Sequence, residues 1–149
     1  MNYCLDARTV TDHFPGIGRY VSNLARAIVD QLARDEQLIM FRDPTQISRW
    51  ELPKSISKNV TIIEAPVSPF GFSQQWVIPR MLRAKGMDVY HSPYYLMPYF
   101  PGRPTVVTIY DLIPQLFPQV VSARARIFFQ WTTRLALWTA DQVVTISEA

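Results

Sequence analysis

The chain has 149 residues, 48% of them apolar, with one cysteine, two histidines and a formal net charge of +3. That composition supports one domain with a sizeable core. It excludes an internal disulfide, and Cys4, His13 and His91 give a structural zinc or iron site almost nothing to build on, so no metal is expected. The positive residues, mostly arginines, are scattered rather than gathered into a tract, which argues against nucleic acid as a partner. A lone thiol inside a first strand reads as a small buried hydrophobe and fits a reducing, cytoplasmic setting. The opening MNYCLDARTVTD carries Asp6 and lacks the apolar run of a signal peptide. The most apolar segment, IFFQWTTRLALWTA, is broken by Gln130 and Arg134 and is shorter than the ~18 residues that a spanning helix requires.

In chain order, the hydrophobic period switches between short β-branched or aromatic runs and longer runs of helical period. This is the pattern of βαβ units around a parallel sheet. Tyr3 to Asp6 is a first strand, followed by a loop from Ala7 to Pro15. A helix beginning near Gly16 repeats Ile17, Tyr20, Val21, Leu24, Ile28 and Leu32 on one face, a core stripe. QLIMFR, NVTIIEA, DVYHS, TVVTIYD and QVVTIS follow as strands. FSQQWVIPRMLRAKG reads as a helix capped by Ser73, bent or split by Pro79 and ended by Gly86. SARARIFFQWTTRLALWTA starts at a capping Ser122 and is apolar nearly all round, which predicts a buried helix. The final Ser147-Glu148-Ala149 has the chemistry of a helix start, so the sequence reads as truncated where a linking helix would begin.

In an open parallel α/β sheet, ligands sit beyond the carboxyl ends of the strands, near the point where strand order reverses. The polar residues at those ends are Asp6 and Arg8, His91, Ser92, Tyr94 and Tyr95, Tyr110 and Asp111, and Ser147 and Glu148. In FPGIGRY, Gly16 and Gly18 let backbone approach a ligand, and a following helix offers about half a positive charge to an anion such as diphosphate. The same residues also punctuate an ordinary helix entry. The full dinucleotide fingerprint fails, since its third small position falls on Val21 and the preceding loop is too long. His91 suits a ligand contact or a satisfied structural residue, and Tyr94 and Tyr95 suit sugar stacking or packing. Asp111 reads as a cleft carboxylate or as the start of an Asx-turn. Arg80, Arg83, Lys85, Arg124 and Arg126 form either solvated basic faces or a contact with anionic lipid. A nicotinamide-dependent reading, with Asp43 as ribose acid, rests on the failed fingerprint.

LDARTVTDHFPGIGRYVSNLARAI, DVYHSPYYLMP, TVVTIYDLIPQLFP and ADQVVTISEA together make the chain resemble the N-terminal domain of a family 4 glycosyltransferase, of two-domain GT-B architecture, from Asn2 to Ala149. The resemblance implies a Rossmann-like, doubly wound α/β domain over residues 1–149, with a mainly parallel sheet and helices on both faces. It implies transfer, with retention, of a sugar from a nucleotide-diphosphate sugar to a glycan or lipid-linked acceptor, without metal or other cofactor. Under it the loop of Gly16, Gly18 and Arg19 lies against the donor diphosphate. Tyr110 and Asp111 stand at the catalytic position, and Asp6, Arg8, His91, Ser92, Tyr94, Ser147 and Glu148 line the acceptor cleft. Many relatives have His-Asp where this chain has Tyr110-Asp111, and a phenol with an ordinary pKa near 10 is a poor proton shuttle at neutral pH. The donor-binding half is absent, which predicts an isolated chain without activity that needs a C-terminal domain in cis or trans. The alternative is a non-catalytic nucleotide- or partner-binding module of the same fold. Either would be cytoplasmic, with a peripheral site at the inner membrane face compatible with the basic helices.

Overall fold

A computed structural model describes residues 1–53, 59–110, 119 and 121–146. Six parallel strands, β1 (Asn2–Asp6), β2 (Gln37–Arg42), β3 (Val60–Glu64), β4 (Val89–Ser92), β5 (Thr105–Ile109) and β6 (Gln142–Thr145), form one sheet in the order β3-β2-β1-β4-β5-β6. Strand order reverses between β1 and β4, so the crevice lies where those two strands end. The central strands are near-continuous apolar runs because helices cover them. In β2, the four residues Leu38 to Phe41 are all buried. At the edges burial fails, and Val143 of β6 is largely exposed.

Alternation along the strands sorts the core onto two faces. Leu5, Leu38 and Met40 pack with Val21 and Ala25 of α1 (Pro15–Gln31). Cys4, Ile39, Phe41, Tyr90 and Val107 pack on the other face with Ile78 and Leu82 of α2 (Gln74–Ala84) and Ala136 of α3 (Ala123–Thr139). Each fully buried Leu, Ile or Phe contributes roughly 1.5–3 kcal/mol to holding these layers together. The fold is therefore a Rossmann-like, doubly wound α/β domain, and Cys4 is a core hydrophobe whose thiol is pushed up by burial and then by the charge of Asp6.

The helix ends show which local signals hold. The Ser122 hydroxyl caps α3 by accepting from the Ala125 amide at 3.2 Å. Gly86, at φ 63°, ends α2, and Met87 N–H returns to the Leu82 carbonyl at 3.0 Å. Ser73, expected as a side-chain cap, is helical and caps nothing; its carbonyl accepts from Val77 instead. Pro79 lies inside α2 without splitting it. The helix tolerates it beside Gln75, whose side chain donates to Met97 O at 2.8 Å and accepts from Tyr99 N at 2.9 Å, tying the proline-rich 93–104 loop to the helix. The expectation that α3 is buried all round is corrected: Phe129, Thr132, Thr133 and Ala136 are buried, whereas Ile127, Trp131 and Trp138 on the opposite side are exposed. The layer has only one side to offer, so a helix with two apolar faces buries one of them.

Candidate functional site

A cleft of about 770 Å³ opens at the carboxyl ends of the strands, between the N-terminus of α1 and the segments that leave β4, β5 and β6. His13 to Ile17 and Tyr20 form one wall, and Tyr94, Tyr95, Tyr110, Phe129 and Ile146 the other. None of these is Asp, Glu, Lys or Arg. The rings interlock: Tyr94 and Tyr95 lie 4.3 Å apart between centroids, Tyr95 meets Phe129 edge-on at 5.0 Å, and Tyr20 meets Tyr110 edge-on at 5.3 Å. Phe14 bridges the walls, 6.5 Å from Tyr94, and also touches Phe70 at 5.6 Å. Such a surface suits sugar faces or an apolar chain. The Tyr110 hydroxyl is buried and has no hydrogen-bond partner among the described residues. Burial first, then the phenols of Tyr20 and Tyr94, push its pKa up, so it stays a protonated phenol at neutral pH.

The two glycines of FPGIGRY separate into different roles. Gly16 lines the cleft, and a side chain added there would meet nothing within 4 Å. No side chain caps α1, and Pro15 has no N–H, so the amides of Gly16 and Ile17 form the positive end of the helix at the rim. Gly18 is buried beneath Trp50, where an added Cβ would collide with the indole Cδ1 and lie 3.0 Å from Nε1. Its amide donates to Phe14 O at 3.0 Å, inside the helix. Its small size therefore serves packing, and only Gly16 faces the site. Arg19 is exposed on α1 and lies outside the cleft lining.

Asp6 and Arg8, expected to face the cleft, turn away from it into a buried network on the α2 side. The Asp6 carboxylate accepts from Arg8 Nε at 2.8 Å, from Arg8 Nη2 at 2.6 Å and from the Tyr90 hydroxyl at 2.6 Å. Arg8 also donates to Gln74 Oε1 at 3.2 Å and to Val67 O at 2.9 Å. Arg8 is 1% exposed and Asp6 3%. Burial works against the guanidinium, but the adjacent Asp6 outweighs it and holds Arg8 charged, while burial and the same carboxylate push the Tyr90 phenol up. Asp43 Oδ1 accepts from Thr45 N at 3.0 Å and from Thr45 Oγ1 at 2.7 Å, the arrangement of an Asx-turn after β2.

The sequence model of Glycosyltransferase Family 4 matches residues 15–149. The chain belongs to that family. A comparison with curated proteins returned no match. The family match starts at the first residue of α1, so it includes the cleft rim and every later element, while β1 and its loop precede it.

Within this family 4 domain, the remaining predicted residues divide again. Tyr94 and Tyr110 line the cleft. Ser92 is buried, and its hydroxyl donates to Tyr94 O at 2.7 Å, setting the exit of β4 that presents Tyr94. His91 lies on the α1 face of the sheet, in a neighbouring apolar groove with Ile28, Leu32 and Val106. Its Nε2 is 2.8 Å from Thr108 Oγ1, which in turn is 3.3 Å from the Tyr20 hydroxyl. Burial lowers the His91 pKa to about 4, so it is neutral at pH 7 and touches the cleft only through Thr108 and Tyr20. Asp111, Ser147 and Glu148 lie outside the described residues. Sequence reasoning missed Phe14, Ile17, Tyr20 and Phe129 as cleft residues. Ile17 and Tyr20, read as part of the core stripe of α1, do pack against the core, and from the first turns of the helix they line the cleft as well.

Proposed function

We propose that this chain is the acceptor-side domain of a retaining glycosyltransferase, moving a sugar from a nucleotide-diphosphate sugar to a glycan or lipid-linked acceptor. A donor-binding domain in cis or in trans completes the site. The observation that carries this reading is the uncapped N-terminus of α1 at Gly16, on the rim of an aromatic cleft at the strand-order reversal of a family 4 domain. The Gly16 and Ile17 amides stabilise the negative charge that builds on the departing nucleoside diphosphate as its bond to the anomeric carbon breaks. No metal or other cofactor is called for in that role. The aromatic walls hold the acceptor and exclude water, and the Tyr110 hydroxyl donates a hydrogen bond to sugar or acceptor. The proposed setting is cytoplasmic, in keeping with the single buried thiol.

The absence of charged side chains from the described cleft lining favours a second reading, a non-catalytic nucleotide- or partner-binding module. Transfer assays with UDP- and GDP-sugars separate the two. Residues 1–149 alone give no product, whereas the assembled two-domain enzyme does, and Tyr110→Phe lowers its kcat/KM roughly five- to tenfold without lowering its Tm. Turnover by the chain alone overturns the division of labour. Micromolar binding of UDP or GDP to the chain alone, seen by calorimetry, supports the binding module.

A further inference from the structure

We propose that the outward face of α3, together with that of α2, is a docking surface for an anionic lipid bilayer. Helix α3 carries two apolar stripes. One is the buried set at Phe129, Thr132, Thr133 and Ala136. The other, at Ile127, Trp131, Leu135 and Trp138, recurs at helical spacing on the opposite side and is exposed; Trp131 is 63% exposed and Trp138 71%. Trp138 is held edge-on by Phe100 at 5.8 Å, and Phe100 is itself 71% exposed. The 93–104 loop and the helix thus present one rigid aromatic edge to solvent.

Within the two helices the charges all have one sign, the nearest acidic residues, Asp88 and Asp141, lying past their C-terminal ends. Arg124 and Arg134 share the outward face of α3, and neither that helix nor α2 contains an Asp or Glu. On α2, packed against the same face of the sheet, Trp76, Arg80 and Arg83 also point to solvent, as does Lys85 at its C-terminal end. Exposed Trp and aliphatic residues among arginines that pair with no carboxylate among the described residues suit the headgroup boundary of a negatively charged membrane, where the rings enter the acyl edge and the guanidinium groups meet phosphates. A second copy of the chain suits it less. A two-fold contact would bring this basic surface against itself with no acidic partner. No helix among the described residues is long and apolar enough to cross a membrane, so the contact is peripheral. This inference stands whether or not the domain transfers sugar.

Co-sedimentation of the full chain with vesicles tests it. The chain is expected to bind phosphatidylcholine vesicles that contain about one-third phosphatidylglycerol, with a blue shift of tryptophan emission, and to leave pure phosphatidylcholine in solution. The double variants Trp131→Gln/Trp138→Gln and Arg124→Gln/Arg134→Gln should each weaken binding about tenfold or more while keeping the circular dichroism melt of the parent. Ile47→Ser, which removes an apolar side chain 84% exposed in the loop after β2, should bind as the parent does. The proposal is overturned by failure to bind anionic vesicles, or by equal binding of all the variants. A dimer that the tryptophan variants dissolve and that lipid does not displace also overturns it, and assigns the face to a second copy.

Discussion

Two regions at the carboxyl edge of the sheet use their residues in opposite ways. On the α2 side, Asp6, Arg8, Gln74 and Tyr90 close on one another until nothing is left to offer a ligand. On the α1 side, Phe14, Tyr20, Tyr94 and Tyr110 leave an open cleft with an uncapped helix end at its rim. The charged residues hold the edge together, and the aromatic residues face the cleft beside the Gly16 and Ile17 amides. A buried ion pair with every polar atom engaged has lost the freedom that binding needs, whereas an aromatic wall keeps its faces available.

That contrast is broken most severely at its charged end. Asp6→Asn leaves Arg8 buried without its counter-charge and is expected to destabilise the domain by about 3–5 kcal/mol in chemical denaturation. A loss below about 1 kcal/mol would show that the network is not structural.

Next comes acid. His91 has an unfolded pKa near 6.5 and a folded value of about 4. Between those values the unfolded chain binds more protons, so the contribution of His91 is complete above about pH 6.5 and is lost as pH falls through 4. The full difference is worth about 3 kcal/mol at most. His91→Asn, which keeps a polar atom toward Thr108, should flatten the stability profile across that window; identical slopes in variant and parent would exclude His91 as the cause.

The glycine pair gives the smallest and sharpest contrast. Gly18→Ala drives a methyl into Trp50 and should cost about 1–3 kcal/mol. Gly16→Ala meets open space and should change stability by no more than about 0.5 kcal/mol, while weakening whatever anion the helix end receives. Thermal melts of the two variants, with transfer rates in the assembled enzyme, would show the reverse order if Gly18 were the residue facing the ligand.

Much of this molecule is legible locally. The alternation of strand and helix, the Ser122 cap and the Gly86 stop follow from periodicity and backbone chemistry within a few residues, and the structure shows each of them. The cleft was legible in its place, at the strand ends, and Gly16, Tyr94 and Tyr110, singled out from the sequence, line it. What only tertiary structure decided depends on partners far away in the chain. Tyr90 and Gln74 take up Asp6 and Arg8, Trp50 claims the space above Gly18, and the sheet covers one side of α3 and leaves its tryptophans outside. Local pattern shows that a residue is polar, small or apolar because backbone geometry is set by near neighbours. Which distant side chain satisfies it is settled only when the layers pack, and here that packing paired Asp6 with Arg8 and, among the described residues, lined the cleft with aromatic side chains.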